Sequence, residues 1–377
     1  MIYLDNAATT QVCPEAAQAA LDAMTVHYGN PSSTHRCGRE AKRLLEASRA
    51  GVAGALGCTP EELFFTSGGT ESNNWAIRRG ASAARRGKHI ITSKTEHDAV
   101  LKTMAHLESR GWNVTYLPPA PDGGVKASSV LSALREDTAL VSLMLVNNET
   151  GAVTDIAAVA KALRSAGSKA LLHTDAVQGF LKLPFSAKSL GADLISISGH
   201  KIHAPKGVGA LYVRKGLNLP AFLFGGGQER GKRSGTEAMP QSAAFAAAVE
   251  AARAEMPAYT QRLEALQEYA RERLAAENEG LVLLPGGAGH ILSLSLPGYR
   301  SEVLMNFLEA RDIYVSKSSA CKKGGRSHVL TAMGLKNEVV DGALRVSFSR
   351  FTTREEIDAF CDALRAAKES LRTSLRR

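Results

Sequence analysis

The sequence predicts an α/β fold: a mostly parallel sheet covered on both faces by helices, followed by a smaller α+β unit. Two observations carry this. Through the first 250 residues, short apolar runs alternate with helical patterns, as expected of strand–helix–strand units whose sheet is buried on both faces. From about residue 241 the alternation gives way to an Ala-rich helical stretch and then to mixed elements.

Taken in order, ELFFTS (62–67), HIITS (89–93), ALVSLMLV (139–146), ALLHTD (170–175), DLISIS (193–198) and GALYVR (209–214) read as strands. Each is short, apolar and bounded by polar or glycine residues. Between them, SSVLSALRE (128–136) and DIAAVAKALRSAG (155–167) read as helices. The second opens on a capping Asp155 and closes at Gly167, with Ile156, Val159, Ala160 and Leu163 on one face. The Ala-rich helix runs to about residue 277 and is expected to bend or break at Pro257, whose ring removes a backbone donor. The last helix starts at the capping box TREE (353–356), with Ile357, Phe360, Cys361 and Leu364 at helical spacing. Cys361 is therefore core, and Cys58, just before a second capping box TPEE (59–62), is given no chemistry either. The expected division is a large unit over 13–257 and a small one made of 1–12 and 258–377.

Bulk properties exclude several function classes. The net charge is +9, but Lys and Arg are scattered along helices such as GREAKRLLEASR (38–49), without a dense block or interleaved aromatics. A basic surface suited to anionic ligands or an acidic partner is the plainer reading than direct nucleic-acid binding. No apolar run reaches the length of a membrane span, and MIYLDNAATT lacks a basic region followed by an apolar one, so a cytoplasmic protein is expected. Five cysteines, at 13, 37, 58, 321 and 361, are odd in number, far apart and without a CxxC pair. This argues against a disulfide framework and against a zinc site, and for a reducing compartment. No metal is expected.

Cys321 stands out. It sits in SSACKKGG (318–325), among small residues and two lysines. A cysteine without a chemical task is usually buried as a small hydrophobe. A thiol beside positive charge has a lowered pKa and reacts with other molecules.

Polar groups also gather where strands end, which is where ligands bind in such sheets. Lys201 follows a strand in SISGHKIHAPKGVGALYVR (196–214), flanked by His200 and Ser198. A lysine there can form a Schiff base with an aldehyde cofactor, although a loop lysine taken alone is most often a solvated charge. In FTSGGTESNN (65–74), Gly68, Gly69 and Thr70 offer N–H groups and a hydroxyl to a phosphate at a helix start. Asp175 of HTDAVQG (173–179) can pair with a protonated pyridine nitrogen, and Gln178 can reach a phenolic oxygen. His97 of KTEHDAV (94–100) can stack on a flat ring, and Asn148 of VNNETG (146–151) ends a fifth strand. Singly, each is more simply a cap, a turn residue or a surface group; five such groups at five strand ends are not.

The motifs YLDNAATT, GNPSSTH, FTSGGTESNN, EHDAV, VNNETG, DAVQ, SGHKIHAPKGVGALYVR, RSGT and SSAC occur in this order from residue 3 to about 352. In this the chain resembles the cysteine desulfurases of the class V aminotransferase group, pyridoxal-phosphate (PLP) enzymes of fold type I. The HAPKG variant is similar to the nitrogen-fixation branch of that family. The resemblance implies a large domain with a seven-stranded, mostly parallel sheet. It implies that Lys201 holds PLP covalently, that His97 stacks on its ring, that Asp175 meets the ring nitrogen and that Gln178 meets the phenolic oxygen. It further implies a phosphate held by Gly69, Thr70, Ser198 and His200, joined by Thr236 of RSGT from the second subunit of a homodimer. Asn148 and Arg345 would hold the substrate, L-cysteine. In ALRVSFSRF (343–351) Arg345 alternates with Leu344 and Val346, and periodicity alone reads it as a solvated strand face. The family motif instead makes it a carboxylate clamp.

By the same resemblance Cys321 is the nucleophile that takes the sulfur as a persulfide, leaves alanine behind, and delivers sulfur to an acceptor protein such as an iron–sulfur scaffold or a thiolation enzyme. The loop departs from the common pattern: Ser318 replaces a usual glycine, and CKKGGRSH (321–328) is about two residues short, lacking the usual Leu-Glu-Pro. The competing readings are a selenocysteine lyase or another class V PLP enzyme, and a non-catalytic scaffold. Retention of Lys201, Asp175, His97 and Cys321 together argues against the scaffold.

Overall fold

The computed structural model describes residues 1–84, 87–317 and 325–371. The chain opens with a short strand β1 (Ile2–Tyr3) and two helices, α1 (Pro14–Thr25) and α2 (Arg36–Leu56). Strands and helices then alternate: β2 (Leu63–Thr66), α3 (Gly69–Ala83), β3 (His89–Ser93), α4 (Asp98–Glu108), β4 (Asn113–Leu117) and α5 (Ala127–Ala133). The alternation continues through β5 (Thr138–Met144), α6 (Ile156–Ser165), β6 (Leu171–Asp175), α7 (Ala187–Leu190), β7 (Leu194–Ser198) and β8 (Gly209–Val213).

These strands form one seven-stranded sheet in the order β2-β8-β7-β6-β5-β3-β4. It is mostly parallel; only β8 runs antiparallel to its neighbours β2 and β7. The strands β2, β3, β5, β6, β7 and β8 are buried along their whole length, as their continuous apolar runs require. The sequence reading missed β4. Asn113 is exposed and the next three residues are half-buried, so this edge strand carries too little apolar signal. The expected helix over 155–167 forms as α6: Asp155 accepts from the Ala158 N–H, and Ile156, Val159, Ala160 and Leu163 are buried.

Beyond β8 the strict alternation ends. A long helix α8 (Met239–Glu277) leads to β9 (Val282–Leu283), β10 (Ile291–Ser295), α9 (Ser301–Glu309), β11 (Ile313–Tyr314) and β12 (Ser316–Lys317). Then come α10 (His328–Ala332), α11 (Asn337–Asp341), β13 (Ala343–Ser347) and α12 (Arg354–Ser370). Strands β12, β13, β10 and β9 form a four-stranded sheet, and β1 pairs with β11. Thr353 and Glu356 close the capping box that starts α12, and Cys361 is fully buried.

The expected break at Pro257 does not occur: α8 is continuous from Met239 to Glu277. An interior proline costs a helix about 3 kcal/mol. Here both halves are anchored. Phe245, Ala248 and Val249 lie in the core around the seven-stranded sheet, and Leu263, Leu266, Ala270 and Leu274 lie in a second core with β10, β13 and α12. Each buried Leu or Phe contributes about 2 kcal/mol, so packing on both sides offsets the lost donor.

Candidate active site

A cavity of about 280 Å³ opens at the carboxyl ends of β5, β6 and β7 and is closed on its far side by β13. Gly69, Thr70, His97, Asn148, Asp175, Gln178, Ser198, His200, Lys201 and Arg345 all line it. Two residues singled out in the sequence are not seen there. Thr236 is exposed and lies apart from the cavity. Cys321 lies outside the described residues.

Lys201 stands in a 3-10 turn after β7, and its ammonium donates to the carbonyls of Ala7 and Ala8, each at 2.6 Å. Gln178 also donates to Ala7 O, at 2.8 Å. Asp175 ends β6 and is buried; Asn73 of α3 donates to its Oδ2 at 2.6 Å and the Val177 N–H to its Oδ1 at 3.0 Å. Both carboxylate oxygens are thus held. His97 caps α4 by accepting the Ala99 N–H at Nδ1, 3.0 Å, which fixes the ring and leaves Nδ1 without a proton. His200 bonds Thr9 Oγ1 through Nδ1 at 3.2 Å. Burial, then the charge of Lys201, pushes its pKa down to about 3, so the ring is neutral.

Arg345 is 2 % exposed, so the solvated-face reading fails. Its neighbours Leu344 and Val346 enter the second core, and the guanidinium turns the other way. Nη1 donates to Asn148 O and Nη2 to Asp5 Oδ1, each at 2.8 Å. Beside it, Asn147 staples the loop: its amide donates to Thr95 O, while its Oδ1 accepts from the N–H groups of Glu149 and Thr150. The two adjacent asparagines therefore divide between structure and cavity.

The turn from β2 into α3 approaches β8 so closely that a Cβ on Gly209 would lie 2.7 Å from the Gly68 Cα. Gly68 itself has φ +147°, a conformation that side chains disfavour. This presses the first turn of α3 against Ser198. A family model described as aminotransferase class-V matches residues 2–360. The chain belongs to the class-V aminotransferase family. It is 41% identical to the cysteine desulfurase IscS of Methanosarcina thermophila, over 98% of this chain and 93% of that one. The IscS of Escherichia coli O139:H28 is 43% identical over the same shares. A solved structure titled NifS-like protein superposes with a TM-score of 0.92 at 38% identity, covering 98% of this chain and all of the other.

Class-V aminotransferases are PLP enzymes, and the groups present fit such a cofactor. Ser198 Oγ is buried with no hydrogen-bond partner and faces the cavity at the start of a helix of 15 residues, where unpaired N–H groups favour an anion. Arg345 Nε is likewise buried and unpaired, on the edge that binds carboxylates bidentately. Buried polar atoms are otherwise nearly always paired. Among the described residues no cluster suited to a metal ion occurs, and no helix is long and apolar enough to cross a membrane.

Some residues in and around this site escaped the sequence reading. Ala7 and Ala8 act through backbone carbonyls, which leave no side-chain signal. Asn73 lies one helical turn past Gly69, a spacing that could have found it. Glu96, beside His97, is buried and accepts from Ser93 Oγ at 2.7 Å and from the Met144 N–H at 3.0 Å. Burial, with Asp175 nearby, pushes its carboxyl up to about 8.

Proposed function

We propose that this chain is a PLP-dependent cysteine desulfurase. It converts L-cysteine to L-alanine and passes the sulfur to Cys321 as a persulfide, and then to an acceptor protein such as an iron–sulfur scaffold or a thiolation enzyme. What supports this is one cavity that holds a lysine, a doubly anchored carboxylate and a carboxylate-binding arginine together. Lys201 would hold the cofactor covalently. Gly69, Thr70, Ser198 and His200 would hold its phosphate, His97 would stack on its ring, and Gln178 would donate to its phenolic oxygen. When bound, the cofactor supplies an electron sink that loosens bonds around the substrate's Cα and Cβ.

The chain's own residues set the rest. Asp175, held in place by Asn73 and the Val177 N–H, would keep a proton on the ring nitrogen. Arg345, with Asn148, orients the substrate carboxylate. Cys321 takes the sulfur: the substrate thiol and the Cys321 thiol become alanine and a persulfide, with hydrogen replacing sulfur on the substrate carbon. Lys322 and Lys323 favour the Cys321 thiolate. A homodimer, with Thr236 reaching the neighbouring site, and a cytoplasmic location complete the reading.

The test has two parts, one variant and one labelling experiment. Cys321→Ala should still take up PLP and bind cysteine, while alanine and sulfide formation fall to near background. Borohydride reduction and peptide mapping should find the pyridoxyl group on Lys201. Wild-type turnover in Cys321→Ala, or labelling at Lys206, would overturn the reading.

A further inference from the structure

Lys182 is a buried cation that the proposed reaction does not use. It lies in the apolar stretch GFLKLPF (179–185), is only 4 % exposed, and does not line the cavity. Its ammonium donates to Gln178 Oε1 at 3.2 Å. Burying an ammonium is costly, and the charged groups around this one make it worse. Lys201 and Arg345 are cations, and His200, His203 and His290 feel its charge as well. Burial and these cations push its pKa down to about 7.

The geometry shows what this group does. The Gln178 amide nitrogen carries two hydrogens, and one goes to Ala7 O at 2.8 Å. The other is left for the cavity that Gln178 lines. Turning the amide over would set Oε1 against the Ala7 carbonyl and the NH₂ group against an amine. Ala7 O is a weak guide alone, because it already accepts from Lys201.

We infer that Lys182 is a positioning residue whose hydrogen bond to Oε1 locks the Gln178 amide with its N–H toward the cofactor's phenolic oxygen. This rests on the proposed PLP reading. A donor aimed at that oxygen favours its anionic form, so losing the lock moves the cofactor's titration to higher pH. Lys182 acts through Gln178 and touches no reacting atom.

The test compares Lys182→Met, which keeps length but removes the donor, with Lys182→Gln, which restores a neutral donor. Each protein is loaded with PLP, and the midpoint of the pH-dependent change in visible absorption is measured. The midpoint should rise by roughly one pH unit in Lys182→Met, the effect of about one hydrogen bond. Lys182→Gln should recover most of it. Gln178→Met should give the same rise, with none added in the double variant. Lys182→Met should also fold at least as stably as wild type, because a costly buried cation is gone; failure to fold overturns the inference. So does an unchanged midpoint, or a Lys182→Gln protein that behaves like Lys182→Met, which would mean that charge alone acts. A wild-type protein that takes up no PLP sinks the functional reading itself, whereas normal uptake with an unmoved midpoint sinks only the role of Lys182.

Discussion

Replacing Glu96 with glutamine should make the protein's stability less sensitive to alkaline pH. The folded carboxyl titrates near 8, against an ordinary 4.5, because it is buried and faces Asp175. A folded pKa above the unfolded one means that the neutral form is favoured in the fold. The corresponding stability is fully present below about pH 4.5 and is lost as pH rises through 8. Each pH unit in that window costs about 1.4 kcal/mol. The loss is therefore about 2 kcal/mol by pH 6 and about 4 kcal/mol by pH 8. The amide in Glu96→Gln cannot ionise and escapes it, apart from a constant offset of about 1 kcal/mol for a new N–H group where Oε2 had no partner. Urea unfolding of both proteins at fixed concentration, at about pH 5, 6.5 and 8, checks this across the window in which the carboxyl ionises. The variant should gain on wild type at each step. A difference that stays constant or shrinks with pH would refute the reasoning.

The buried pair of Arg49 with Glu229 should be a strong tether. Both bonds are 2.7 Å, and Glu229 also accepts the Phe65 N–H, tying the Gly-rich segment 225–236 to β2. Arg49→Ala should cost about 3–5 kcal/mol, because it strands a buried carboxylate; a loss under about 1 kcal/mol in chemical unfolding, the range of an exposed pair, would contradict this. Asn73→Ala should loosen PLP binding about tenfold or more by freeing Asp175 Oδ2, a bond to a charged group. Dialysis against buffer, followed by the loss of visible absorption, measures it, and unchanged retention would show that the Val177 N–H alone suffices.

How much of this was legible in the sequence depends on what each residue uses to act. Side chains at strand ends were legible, because the change from an apolar run to a polar residue marks where a chain leaves the sheet. Asp175, Ser198 and Lys201 are of this kind. Arg345 was legible only through the family motif, since alternation in β13 tells which face it takes but not that the face is buried. Lys182 and Glu96 were invisible, because a single charge inside the run GFLKLPF, or one acid among the polar residues of KTEHDAV, looks like a surface position until the fold buries it. Pro257 misled for a related reason: local backbone chemistry forecasts a break, and two cores on either side of it override that forecast.

The least legible part is the first ten residues, and they join the site's two halves. On one side, Leu4 O accepts the Ser347 N–H, Asn6 donates to Ser347 O and the Ala7 N–H to Ser347 Oγ, so the segment is stitched to the end of β13. On the other, Thr10 bonds His200 O through both its N–H and its hydroxyl, and the hydroxyl accepts the His203 N–H. Between these anchors Asp5 holds Arg345, and the carbonyls of Ala7 and Ala8 hold Lys201. Lys201 follows a strand of the seven-stranded sheet and Arg345 lies in the four-stranded one, so no shared strand fixes their separation. A short turn over residues 6–8, closed by the Ala8 and Thr9 N–H groups on Asp5 O, does so instead, with hydrogen bonds to both halves. The distance between Arg345 and Lys201, the groups proposed to bind the substrate carboxylate and the cofactor, is thus set by the hydrogen bonds of this segment, and such a segment needs small side chains that let its carbonyls reach the cavity. Two alanines at 7 and 8 meet that need.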